Sequence, residues 1–542
     1  MPELLAWCIA IAVAIGLYAY RMGGPGLEND SYQYISAAEN FGARTSIVYF
    51  DVERSHGVVP APLTTFPAGY PLIMSAVTVL GVTPDFAGLV VSLAAACSVA
   101  VLIAWGARWL QLKSWTVRTV LLLLLTNSTF VIGAAYVLTE PLFAVVTLAA
   151  LLFLIRAQMA SLSERSHLMW LMLAQLAIAS AYWIRYAGLF LFAGAAAYLA
   201  LRALRERSRR AWLGLASVSL SAILIGIGFA RNYLLVGSWK GGNTKSVHND
   251  LLPVLNDFFL SIYHVFLGEA APTAGGPELL LALTLAGTIA LYVGVVSRNR
   301  LAILSDRGVH VIAAFLLFYV AGMIYLGMES VISFGTRMFK PLLPVLLLCG
   351  AIIYRNAAVR DVGRGASRMG LAALFAMSIA GYMAINLRSY FAPPEQPRHM
   401  LVRAQLDAPL DDGRPLVDWI DRNLTTDRPL FATDAQATGY LLKRKVVALT
   451  SAEYSDQTWT ADTVRATMER FNATHLMIYY GLSDQTSVIQ QSPFLRDLSR
   501  GVLPDWLRIV ADNHKVRILA VTRPSRAIVT SQPIHNLESD RS

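Results

Sequence analysis

Three cysteines in 542 residues leave nothing from which to build a disulfide framework or a zinc knuckle. Cys8, Cys97 and Cys349 all fall inside apolar runs, where each reads as a small buried hydrophobe. Charge is scarce as well: 15% of residues are charged against 56% hydrophobic, with a mean hydropathy of +0.51. A soluble chain this apolar would expose large sticky patches, so the composition points to a polytopic membrane protein. The sequence has no Walker loop, no His-Glu-x-x-His and no Ser-His-Asp order, which removes the usual ATPase and hydrolase signatures. It also lacks a convincing internal repeat, and its ionisable residues crowd the ends of apolar runs rather than their midpoints. Both observations count against a membrane transporter of an envelope lipid or sugar, which stands as the alternative reading.

What the chain does have is a series of about eleven apolar runs near the ~20 residues needed to cross a bilayer. They are 3–20, 85–107, 116–135, 140–157, 168–184, 186–203, 211–230, 279–297, 308–328, 338–354 and 369–387. No basic residue precedes the first run, and Arg21-Met22-Gly23-Gly24-Pro25 is a poor cleavage site, so this run reads as an uncleaved helix. The net charge of +10 sits mainly in the short loops 108–118, 156–167, 202–210, 298–307 and 355–368. Basic loops between hydrophobic helices stay cytoplasmic, so the charge serves orientation beside the lipid bilayer and implies no nucleic-acid partner. The N-terminus is then cytoplasmic. Loops 21–84 and 231–278, with everything after about 388, lie outside, provided that the short apolar stretch Tyr70–Gly81 does not cross.

Residues 1–390 thus form the expected transmembrane domain, and 400–542 a small extracytoplasmic α/β domain. Ala392-Pro393-Pro394-Glu395-Gln396-Pro397 makes a stiff exit from the last helix. Beyond it, β-rich runs at Pro429–Thr433, Lys445–Thr450, His475–Tyr480 and Val516–Thr522 alternate with helical patterns at Leu416–Leu424, Gln436–Leu442 and Ala461–Phe471. No Gly-rich phosphate loop opens any of these helices.

The residues suited to chemistry gather at the outer boundary. Asp30, in Glu28-Asn29-Asp30-Ser31-Tyr32-Gln33-Tyr34, is either an N-cap for a helix over Ser31–Phe41 or a carboxylate able to take a proton from an attacking hydroxyl. Tyr32 and Tyr34 are amphipathic rings suited to the interface. Glu140 precedes Pro141 at the start of an apolar helix, where its charge suits the positive end of the helix dipole. Glu329 and Arg337-Met338-Phe339-Lys340-Pro341-Leu342-Leu343-Pro344 stand between two runs; the Arg337 guanidinium and the Lys340 ammonium suit a phosphate. Arg185, Arg231 and Lys245 are weaker candidates of the same kind. His56, His248 and His264 lack helical ligand spacing, so no metal ligand is assigned, and a divalent cation stays open as a cofactor.

In this order, Asp30-Ser31-Tyr32-Gln33-Tyr34, Phe66-Pro67-Ala68-Gly69-Tyr70-Pro71-Leu72, Thr139-Glu140-Pro141-Leu142-Phe143 and the Arg337–Pro344 stretch resemble the GT-C superfamily of membrane glycosyltransferases. The branch most similar is the bacterial one of protein mannosyltransferases, aminoarabinose transferases and lipopolysaccharide-core sugar transferases. The resemblance implies a GT-C-like helical fold in a bacterial inner membrane and transfer of a sugar from a polyprenyl-phosphate donor. The acceptor, a glycolipid, glycan or protein of the cell envelope, would be met on the periplasmic face. The family's first-loop acid falls on Asp30, its second acidic position on Glu140, and its donor-phosphate residues on Arg337 and Lys340. Glu28, Tyr32, Tyr34, Tyr70, Arg185 and Glu329 become candidate substrate contacts. Phe66-Pro67-Ala68-Gly69 departs from the family's Pro-Pro form and Glu28-Asn29-Asp30 from its Asp-Glu pair, which favours glycolipid or glycan acceptors over protein.

Overall fold

The computed structural model describes residues 2–48, 57–159, 162–241, 247–268, 306–329, 335–358, 366–394, 396–450, 458–482 and 486–522. Among them, seven helices are long and apolar enough to cross a membrane: Pro2–Arg21, Pro84–Trp109, Glu140–Ala157, Glu164–Ile184, Gly188–Glu206, Arg209–Val236 and Arg307–Glu329. An eighth span is a bent pair, Ser114–Thr126 and Ser128–Ala135, meeting at 57°. The chain is therefore an integral multi-pass protein, with seven or eight clear spans among the described residues. The run 338–354 becomes a shorter apolar helix, and 369–387 falls within the helix Ala366–Phe391. The run 279–297 lies outside the described residues.

The first span is apolar on both its buried and its outer face. In Pro2–Arg21, Ile11 and Ile15 are buried against the bundle, while Leu5, Ile9, Val13 and Leu17 form an exposed stripe at i, i+4 spacing, suited to lipid. The break in the bent span falls at Asn127, and polar side chains satisfy the backbone groups it frees. Asn127 accepts from the Phe130 N–H (2.7 Å) and donates to the Val265 carbonyl (2.9 Å). Asn386 Oδ1 accepts from the Ser128 N–H at 2.8 Å, and the Tyr382 and Tyr390 hydroxyls donate to the Leu123 and Leu125 carbonyls. Each of these groups would otherwise be an unsatisfied donor or acceptor in an apolar medium.

Two short segments of the first loop, β1 (Arg44–Thr45) and β3 (Ala61–Pro62), pair antiparallel. Between them, β2 (Ile47–Val48) leaves the loop to become the edge of a six-stranded sheet. Its other strands are β4 (Leu430–Ala432), β5 (Val446–Ala448), β6 (His475–Tyr479), β7 (Leu507–Asp512) and β8 (Val516–Val521), in the order β2-β5-β4-β6-β8-β7. The first four strands run parallel, and β8 and β7 follow antiparallel. The alternation read from the sequence beyond residue 400 is this sheet with its helices Leu416–Asn423, Ala435–Leu442 and Ala461–Arg470. Unexpectedly, the loop supplies a strand to it, which fixes the helix Asn29–Ala38 between the bundle and the sheet.

Candidate functional site

The helix Asn29–Ala38 begins two residues before the Ser31–Phe41 pattern suggests. Glu28 occupies the N-cap, and its backbone N–H donates to Ser31 Oγ at 2.9 Å. Asp30 thus sits in the first turn and is released from capping. Its carboxylate instead accepts from Arg337 Nη2 at 2.7 Å. On the same guanidinium, Nη1 donates to Glu28 Oε2 at 2.6 Å and Nε to Glu140 Oε1 at 3.1 Å. Three acids from two distant stretches of chain therefore converge on one arginine.

Each of these positions has a local cause. Pro141, in the first turn of Glu140–Ala157, presets the helical φ and needs no N–H partner. Arg337 belongs to the short helix Thr336–Phe339, held in place where the Tyr319 hydroxyl donates to the Met338 carbonyl at 2.6 Å. Arg185 follows the end of Glu164–Ile184 and reaches Glu140 Oε1 at 2.7 Å and Thr139 Oγ1 at 2.9 Å. Gly69 lets the helix Gly69–Thr78 start against this same turn, since a Cβ there would lie 2.5 Å from the Trp183 carbonyl oxygen. Lys340 packs beside Gly133, close enough for its charge to act on Glu28.

The cluster is graded in exposure. The Glu140 side chain is 2% exposed, whereas Arg337, Asp30 and Glu28 stand at 26%, 27% and 33%. It is closed at Glu140 and open at Glu28 and Asp30. Burial pushes the Glu28 carboxyl above its usual value, and the attraction of Arg337 and Lys340 does not undo this. Burial also disfavours the Arg337 cation, but Glu140, Asp30 and Glu28 outweigh it and hold the guanidinium well above its ordinary range. Glu140 Oε2 is buried and has no hydrogen-bond partner, an open acceptor at the floor of the cluster. Tyr34 is buried beside it, edge-on to Phe66 (5.0 Å) and Tyr70 (5.2 Å); burial holds its phenol, and that of Tyr70, protonated far above neutrality.

The candidate residues therefore divide. Asp30, Glu28, Glu140, Arg337 and Arg185 meet, with Lys340, Tyr34 and Tyr70 around them. Tyr32 points away: its ring lies 5.6 Å from Tyr440 on the sheet side, in a region that includes His399 and the Arg398–Asp434 pair (2.7 Å). Those sheet-side residues carry no signal in the sequence beyond an Arg-His pair after Pro397. Glu329 is separate too, 3.3 Å from His248 at a half-exposed helix end. Arg231 donates to its neighbour Asn232 at 3.3 Å, near Tyr186 and Tyr182, and Lys245 and His56 lie outside the described residues. No group of three or more His, Cys, Asp or Glu suited to a metal occurs among the described residues.

Comparison with known proteins bears on the family and the fold. Residues 63–237 match the family described as dolichyl-phosphate-mannose-protein mannosyltransferase. No curated protein is similar enough to match. Among solved structures, ArnT from Cupriavidus metallidurans bound to undecaprenyl phosphate superposes with a TM-score of 0.55 at 12% identity, over 94% of this chain and 97% of that one. The Archaeoglobus fulgidus oligosaccharyltransferase in complex with Zn and sulfate gives 0.51 at 11% identity, over 91% of this chain and 70% of that one. The mycobacterial arabinofuranosyltransferase AftD gives 0.52 at 12%, over 95% of this chain and 41% of that one. Residues 63–237 thus match one family model, and the chain shares the fold of these solved structures over nearly its whole length.

Proposed function

We propose that the chain transfers a sugar from a polyprenyl-phosphate carrier to a hydroxyl of an envelope glycolipid or glycan, on the periplasmic face of a bacterial inner membrane. The observation that carries this reading is the convergence of Asp30, Glu28 and Glu140 on Arg337 at one end of the bundle. Asp30 is the base: its second oxygen is outside the pair with Arg337, and a quarter of its side chain is accessible. The acceptor oxygen bonds to the sugar's anomeric carbon as the bond from that carbon to the phosphate oxygen breaks, and the acceptor proton passes to Asp30. The leaving polyprenyl phosphate gains a negative charge, which Arg337 and Lys340 counter. All three guanidinium nitrogens are occupied, so phosphate must displace a carboxylate. Glu28 is the one to yield, being the most exposed and having its carboxyl pushed up. Glu140, held by Arg185, stays to fix Arg337.

The test is incubation of purified protein, in lipid vesicles, with a radiolabelled polyprenyl-phosphate sugar and envelope glycolipid. Label appearing on the acceptor, with release of polyprenyl phosphate, is the expected result. Movement of label across the vesicle without transfer would instead favour the transporter reading.

A further inference from the structure

The face of the Asn29–Ala38 helix turned away from Asp30 borders a cavity of about 240 Å³. Tyr32, Ser36 and Glu39 reach it from successive turns of the chain. Gly439 lets the α/β domain close against the strand β2, since a Cβ there would lie 2.8 Å from Ile47 Cγ1. The helix Ala435–Leu442 ends in a left-handed residue, Lys443 (φ 50°), and Lys443, Arg444 and Lys445 all line the same cavity. We infer that this cavity is a subsite for an anionic saccharide, holding a phosphate- or carboxylate-bearing sugar unit of the acceptor away from the hydroxyl that reacts. The acceptor as source rests on the transfer reading above; the binding chemistry does not.

Cations outnumber acids in the lining by three to one. The acid is Glu39, 3.6 Å from the Lys443 ammonium in a loose pair that is open to water on both sides. That ammonium also sits 4.6 Å from the centre of the Tyr440 ring, which keeps it at the cavity wall. Arg444 is buried and donates to the Leu424 and Thr425 carbonyls at 2.9 and 2.8 Å, while its ion pair is with an exposed acid, Asp421, at 3.5 Å. Its Nε is buried without a hydrogen-bond partner. The Lys445 ammonium donates to the Asp427 carbonyl at 3.4 Å. Carbonyls fix cations in place without cancelling their charge, so an excess remains for an anion. Ser46, Thr426 and the Tyr440 ring add hydroxyls and an aromatic wall, which a sugar uses and a bare phosphate does not. The volume falls below the roughly 300–1,000 Å³ of sites for drug-sized ligands and suits one charged sugar unit rather than a peptide or a lipid chain.

Full-length protein in lipid nanodiscs is titrated by calorimetry with glucose 6-phosphate, glucose and inorganic phosphate. One glucose 6-phosphate per chain is expected to bind at least tenfold more tightly than either of the others. Lys443→Gln with Lys445→Gln should weaken it at least tenfold while the melt stays that of wild type; Lys443→Gln alone serves should the pair not fold. Equal affinity for phosphate and sugar phosphate, or binding that the lysine variants leave unchanged, overturns the subsite. A second arm compares acceptor glycolipids with and without phosphate on their sugars. The lysine variants should raise KM for the phosphorylated acceptor at least tenfold with kcat little changed. An unchanged KM beside weakened glucose 6-phosphate binding overturns the acceptor as source and leaves a site for free sugar phosphate. Absence of transfer by wild type sinks the transfer reading, and the calorimetry then decides the cavity by itself.

Discussion

Arg337 and Arg355 are equally accessible, with 26% of each side chain exposed, yet they are used in opposite ways. Arg355 meets one acid, Asp306, and spends its other donors on Asn356 and the Leu110 carbonyl. Asp306 in turn accepts from the Gly308 and Val309 N–H groups at the start of Arg307–Glu329. That network ties three helix ends together and leaves little unsatisfied. Around Arg337 there are three acids for one guanidinium, a buried oxygen without a partner and a pair open at one end. Where the opposite network completes helix termini, this one gathers three acids and leaves a buried oxygen unpaired. A half-open charged cluster of that kind is what a site for a charged substrate has and a structural clamp lacks.

Glu140→Gln should sharpen this contrast most. It removes the buried acid of the cluster and leaves Arg185 beside it without a counter-charge. Removing one partner of a buried pair costs about 3–5 kcal/mol. A large fall in melting temperature in detergent, together with loss of transfer, is expected; an unchanged melt would mean that water already screens the pair. Asp30→Asn keeps shape and hydrogen bonding but removes the base, so turnover should fall by about 10²- to 10⁴-fold with the melt little changed. Near-normal turnover in that variant would break the assignment of Asp30. Asp306→Asn is the mirror experiment. It should cost about 1–3 kcal/mol of stability, by weakening a charge-assisted network, while the folded fraction keeps its rate. A fall in turnover per folded molecule would show that the two ends of the bundle are not separable.

The two networks also differ in how far the sequence announced them. Sorting basic loops to one side places Asp30, Glu140 and Arg337 at the same end before any geometry is known, and they meet. Arg185 carries little signal in the sequence because Tyr182-Trp183-Ile184-Arg185-Tyr186 holds no motif; its position comes from a tight turn between two helices. Tyr32 and Tyr34 are near neighbours in sequence, yet helical spacing puts Asp30 and Tyr34 on one face and Tyr32 about 200° away. Leucines dominate the bent span and make it look continuous, although Asn127-Ser128-Thr129 marks the break. Strand β2 is two residues long, and its partner Val446–Ala448 lies some four hundred positions on, beyond any local pattern.

The smallest expected effects separate the two faces of the Asn29–Ala38 helix by pH. On the sheet side, His399 packs on Tyr440, whose hydroxyl donates to Asp85 at 3.3 Å. Burial lowers the His399 imidazole below its usual value, and the Asp85 charge offsets this only in part. A base lowered in the folded state contributes stability above its unfolded value, about 6.5, and that stability is lost as pH falls through the lowered value. On the cluster side, Glu28 is raised. Its contribution is complete below the unfolded value, about 4.3, and lost as pH rises through the raised one. Melts between pH 4 and 7 should therefore contain two opposed steps. His399→Gln should remove the loss on acidification and Glu28→Gln the loss on alkalinisation. Were both variants to run parallel to wild type, neither group would titrate differently on folding. The helix would then separate two environments by packing alone.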